Sequence, residues 1–240
     1  MATAYKTLKG VVMKLINIVA ILLVTSLFAD AKWHPLKSMK TYNGRDFTLK
    51  SDVEYVEIKK VHIFKPLYPK AKEQVSIKRV LSLYRKPLSN FSTKVRKDFK
   101  NLPLSAKKSK SFLHGDQGHL GSIEYWYYNA FMLDSNLKTW RLENTKDLID
   151  MVKPINTPAE IKLVMWANGF AEGFLTYKEE YRAKYKKVGK NYIVQEHYSV
   201  TDTAYGKCGV YTYKSTVTKD GRVLNRRLIK KTPSKECGAE

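Results

Sequence analysis

The chain has 240 residues, with 44 Lys and Arg against 22 Asp and Glu, and so a formal net charge of +22. A hydrophobic fraction of 43%, with 12% of the chain aromatic, suffices for a packed core and excludes whole-chain disorder, collagen and coiled-coil classes. Two Cys exclude a disulfide-dense scaffold and any all-Cys zinc site.

The first element is an address. Lys14, the apolar run Leu15 to Phe28, and Ala29-x-Ala31 supply the basic start, the hydrophobic region and the cleavage site of a secretory signal peptide. Residues 1–31 are therefore expected to be removed before Lys32, with Met13 as an alternative start, leaving a periplasmic or secreted protein. The competing reading is an uncleaved N-terminal membrane anchor. An anchor needs about 20 apolar residues, more than this run holds unless Val11 and Val12 are recruited.

Charge then divides the chain. Residues 32–110 carry 21 basic and 6 acidic residues, a net +15, whereas residues 111–240 carry 20 and 15, a net +5. In the basic part, Val53 to Ile58, Val61 to Phe64 and Val75 to Tyr84 read as strands, and Pro66, Pro69, Pro87 and Pro103 forbid a long helix. Apolar content thins from Lys94 onward, and Lys107-Lys108-Ser109-Lys110 reads as a solvated loop. A boundary there gives a basic β-rich region, 32–110, and an α+β domain, 111–240; a loop inside one domain is the alternative.

His114-Gly115-Asp116-Gln117-Gly118-His119 follows. Two imidazoles and a carboxylate are transition-metal ligands in type. Only a loop, which Gly115 and Gly118 permit, would converge His114, Asp116 and His119. A plain polar loop is the competing reading.

Ile123 to Leu133 reads as a strand, turning at Asp134-Ser135-Asn136 into Leu137 to Leu142. Asn144-Thr145 caps a short helix that ends at Pro154. Thr157-Pro158-Ala159-Glu160 combines a capping box with Pro at the first helical position, and Asn168-Gly169 is the stop. Alternating strands follow: Tyr181 to Lys186, Tyr192 to Val200, then a hairpin turning at Lys219-Asp220-Gly221. The expected fold is α+β, an antiparallel meander packed against one main helix. If Thr218 faces Arg222, Cys208 faces Thr232, and a tail folding back would join Cys208 to Cys237 in a disulfide. Catalytic thiols are disfavoured, because neither Cys has a His or a basic cluster beside it in sequence.

Thr157-x-x-Glu160 on a helix, Tyr192-Ile193-Val194 and Val217 to Leu224 together resemble the PepSY family pattern over residues 157–231. That resemblance implies a helix on a small antiparallel sheet and a binding or protease-inhibiting role, with no catalytic residue carried over.

No nucleophile elbow, phosphate loop, zincin helix or thioredoxin motif is present, so no cofactor is expected. The chain holds 35 Lys and 9 Arg. Lys lacks the planar fork of Arg, which argues against sequence-specific nucleic acid and leaves general attraction to polyanions. An exported protein meets these as anionic lipid, lipopolysaccharide or cell-wall polymer, with a protein partner as a further option. The contact is expected from Lys59, Lys60, Lys78, Arg79, Lys94, Arg96, Lys97, Lys107, Lys108 and Lys110. Sixteen Tyr fit two roles, an exposed stacking ladder or the packing of half-buried sheet faces.

Overall fold

Short β-rich runs separated by turn residues produce an architecture that is mostly antiparallel sheet with a few short helices. The computed structural model describes residues 32–37, 39–66, 72–102, 112–119, 122–169, 183–202 and 207–233. The chain divides into two compact units, Met1–Trp33 and His34–Glu240, and every strand and helix named below belongs to the second. The export segment, residues 1–31, lies outside the described residues, as do Lys107, Lys108, Lys110 and Cys237.

The N-terminal sheet has the order β3-β2-β5-β4, with β6 also paired to β5. Its strands are β2 (Val53–Pro66), β3 (Gln74–Tyr84), β4 (Phe112–His119), β5 (Ser122–Asp134) and β6 (Thr139–Leu142). β2 is one strand of 14 residues where the sequence suggested two. Lys59 and Lys60 do not interrupt it, because β5 pairs with it from Val53 to Pro66. The same ladder bears on the expected boundary at residue 110. β2 comes from the basic segment and β5 from the other, so one sheet contains both and the fold does not part there.

The C-terminal sheet has the order β1-β7-β8-β9-β10. It comprises β1 (His34–Leu36), β7 (Ala183–Val188), β8 (Asn191–Asp202), β9 (Lys207–Val217) and β10 (Val223–Thr232). The β9–β10 turn uses Gly221 at φ 78°, and a Cβ there would collide with Ile149. The hairpin starts in the expected register, Val217 facing Val223, and then slips twice. Thr232 consequently faces Val210 and not Cys208, which corrects the expected pairing by two residues. Bulges cause the slips.

Three α-helices accompany the sheets: α1 (Thr93–Lys100), α2 (Thr145–Asp150) and α3 (Pro158–Ala167). The sequence did not foresee α1. Ser92 caps it by accepting from Val95 N–H, and Phe99 is buried against Tyr55 with ring centroids 5.2 Å apart. Around them Phe131 and Leu133 complete a small second core on the outer face of the N-terminal sheet. α3 is the opposite case: every residue from Ala159 to Ala167 is buried. An apolar helix with no polar face belongs inside a core. It contacts β1 and β9, while Trp166 meets Tyr128 of β5 edge-on at 5.0 Å.

The capping box of α3 does more than end a helix. Glu160, fully buried, accepts from Thr157 N–H at 3.0 Å, Asn156 N–H at 2.6 Å and Thr48 N–H at 2.7 Å. One carboxylate thus satisfies three backbone donors and ties the segment before β2 to the helix start. No helix among the described residues is long and apolar enough to cross a membrane.

Candidate functional site

A concavity that carries an expected residue lies along the outer edge of β3. This cleft, of about 470 Å³, is lined by Tyr42, Tyr55, Tyr84, Arg79, Asn43, Ser82 and Ser89, with Leu81 and Leu88 beneath them. Tyr55 and Tyr84 stack at 6.4 Å and 17°. The Tyr55 hydroxyl donates to Glu57 Oε2 at 2.8 Å and lies 3.1 Å from Ser82 Oγ. Burial pushes the Tyr55 hydroxyl up to about 12, with the neighbouring Glu57 charge adding to the rise, so it stays a neutral donor at physiological pH. Gly44 forms one wall of the cleft. A Cβ there would overlap the Tyr84 ring and stand 2.7 Å from the Ser82 carbonyl oxygen, so only glycine allows this approach.

The expected cations fall into three groups. Lys78 and Arg79 are exposed on β3, and Lys94 and Lys97 are exposed on α1. Lys59, Lys60 and Arg96 are half-buried. Lys59 Nζ lies 3.4 Å from Glu57 Oε1 and 5.3 Å from the Phe131 ring centroid, and Arg96 donates to Thr93 Oγ1 at 3.0 Å. Those side chains are committed to their neighbours. Sequence reasoning counted them equally with the exposed ones because charge is visible in a sequence and side-chain partners are not.

The His114 segment is strand β4, not a loop, and this corrects the premise of the metal reading. β4 runs antiparallel to β5 with His114 facing Tyr127, Asp116 facing Tyr125 and His119 facing Ser122. No cluster of three metal-ligating residues occurs among the described side chains, and those of His114, Asp116 and His119 lie outside them.

The structure also reveals cations that segment charge hid. β10 carries Arg226, Arg227, Lys230 and Lys231, and Arg226 sits 4.0 Å from the centroid of the Tyr213 ring. Its Nε is 3.6 Å from Glu196 Oε2, on a carboxylate only 2% exposed. Lys162 of α3, 5% exposed, also feels Glu196, and burial holds its amine below the ordinary lysine range. One buried carboxylate therefore serves two cations. The doublet spacing Arg226-Arg227, Lys230-Lys231 on a strand was the sequence signal for this region.

No family model matches the chain, and neither a curated protein nor a solved structure matches it. The PepSY resemblance of residues 157–231 rests on its sequence elements alone.

Proposed function

We propose that the protein is an exported, non-catalytic binding protein for an anionic partner of the cell envelope, an anionic lipid, lipopolysaccharide or acidic cell-wall polymer. The observation that carries this reading is the cleft beside β3, where Arg79 stands among three tyrosines and no carboxylate belongs to the lining. Lys78, Lys94 and Lys97 are exposed on the same sheet and on the helix that covers it. Cations and a bulge on an edge strand also discourage sheet-to-sheet aggregation. β3 has such a bulge at Val80, but edge protection does not call for the Tyr-lined cleft.

Each exposed cation near an anionic surface contributes about 1 kcal/mol at low salt. A Lys78→Ser/Arg79→Ser change is therefore expected to weaken binding to anionic vesicles about 30-fold. Vesicle co-sedimentation at rising salt tests it, and binding indifferent to salt would overturn it. Mass spectrometry of the exported form reads the N-terminus, expected at Lys32.

A further inference from the structure

Cross-strand pairing places one row of side chains over a face of the C-terminal sheet. Lys184 of β7 opposes Gln195 of β8, Gln195 opposes Lys214 of β9, and Lys214 opposes Arg227 of β10. Directly opposed residues share a face. The opposite face holds the buried side chains of Tyr192, Val194 and Val217, so the row lies away from that core. Lys186 and Lys230 have the parity of the row, and no carboxylate does among the described residues.

Lys214 and Arg227 are the informative pair. Like charges directly opposite each other are unfavourable, and neither side chain has an ion-pair partner among the described residues. Edge protection explains cations on β10, the outermost strand. It does not explain Lys214, which sits on β9 with strands on both sides. Beside the pair the ladder opens. Between Leu224 and Arg227, residues Asn225 and Arg226 stand against the single position Ser215, and Asn225 takes φ 54°. The result is a cleft of about 410 Å³ lined by Ile193, Lys214–Thr216 and Asn225–Arg227.

We propose that this cleft binds a phosphate-type oxyanion, held directly by Arg227 and Lys214. The guanidinium fork matches two oxygens of such a group, and the ammonium adds a point charge. Lys184, two strand spacings from Lys214 and so roughly 10 Å away, adds longer-range attraction. The bound anion cancels the repulsion that the empty pair carries. This inference is independent of the β3 cleft and survives its failure.

The test is calorimetric titration of the purified protein with inorganic pyrophosphate at low and high salt. Saturable binding is expected, with affinity falling at least about tenfold in Lys214→Thr/Arg227→Thr and unchanged in Lys78→Ser/Arg79→Ser. Without anion, Arg227→Thr should raise the unfolding midpoint, since it removes a like-charged neighbour, and pyrophosphate should no longer raise it further. A lowered midpoint, unchanged affinity in the double variant, or no saturable binding overturns the proposal. His197, on the same face and bonded through Nδ1 to Thr212 Oγ1 at 3.0 Å, provides a second readout. Burial and the Lys184 charge hold its pKa down, so a bound oxyanion shifts its NMR titration upward. Phosphatidic acid vesicles identify the source. Binding that depends on Lys214 and Arg227 assigns the phosphate to a lipid headgroup, and binding of pyrophosphate alone assigns it to a soluble ligand.

Discussion

The two sheets carry their cations in different ways. On the N-terminal sheet, Lys59 is paired to Glu57 on its own face, and the exposed cations cluster at the edge strand β3 and on α1. On the C-terminal sheet, Glu196 pairs with Arg226 of β10 and has the parity of Tyr213, on the face opposite Lys214 and Arg227. Several other acids of residues 111–240 lie on helices or in the hairpin turn. Glu160 accepts from three backbone donors, Asp147 and Asp150 sit on α2, and Asp220 sits in the hairpin turn with Arg222 at 2.7 Å. A segment with a net charge of only +5 therefore presents a sheet face free of carboxylates among the described residues. Segment charge counts residues, whereas a binding partner meets only the charge on one face.

The largest blow to this comparison is Glu196→Gln. It should leave Lys162 and Arg226 without their counter-charge and cost about 3 kcal/mol in denaturant unfolding. A loss below half that size would mean that Glu196 does not hold the two cations, and the contrast between the faces would fail. Glu57→Gln is the matching change on the other sheet. The Lys59 side chain is only 14% exposed, but it keeps the Phe131 ring and the Tyr55 hydroxyl can still bond the amide, so about 2 kcal/mol is expected by the same method.

Lys162→Met sharpens the comparison from the core side. The folded protein holds this amine below its ordinary pKa, so between that lowered value and the unfolded value of 10.5 the unfolded chain binds more protons. Stability contributed by this site rises with pH through that window. The variant should therefore be the more stable protein at neutral pH, by about 1 kcal/mol, and its advantage should shrink toward pH 10.5. An advantage independent of pH would remove the buried charge from the explanation.

Two titrations give smaller effects. Tyr55 and Tyr128 are both held near 12 by burial, so the stability they protect is complete below pH 10 and is lost as pH rises from 10 toward about 12. Tyr55→Phe should flatten part of that alkaline loss in a pH series of unfolding midpoints. His197, whose pKa is lowered, takes up its proton less readily when folded, so stability should decline modestly as pH falls below 6.5. His197→Gln should abolish this decline and leave the alkaline limb intact.

Much of the local structure was legible. The capping box at Thr157 and Glu160, the Asn144 cap, the Asp220-Gly221 turn and the alternation in β7 and β8 all depend on neighbours within a few residues. α1 escaped notice because its apolar residues, Val95 and Phe99, are few and are flanked by lysines. They suffice only because Tyr55 and Phe131 cover them. The His114 segment misled for a similar reason. Its glycines suggested a loop, and the long partner β5 drew it into a strand. Among the proposed site residues, Lys78 and Arg79 were visible as charge, whereas Lys214 and Arg227 became a pair only through the bulge in the β9–β10 ladder.

The opening figure of +22 thus divides between what composition fixes and what folding assigns. The sequence by itself determined the excess of lysine, its uneven division at residue 110, and the caps, turns and strand periods, since these are properties of the chain or of near neighbours. Only the tertiary structure decided which cations are committed to Glu57 or Glu196, which stand beside a cleft, and which form a row. Register and face are set by contacts between residues far apart in sequence, and a one-residue bulge changes which side chains meet.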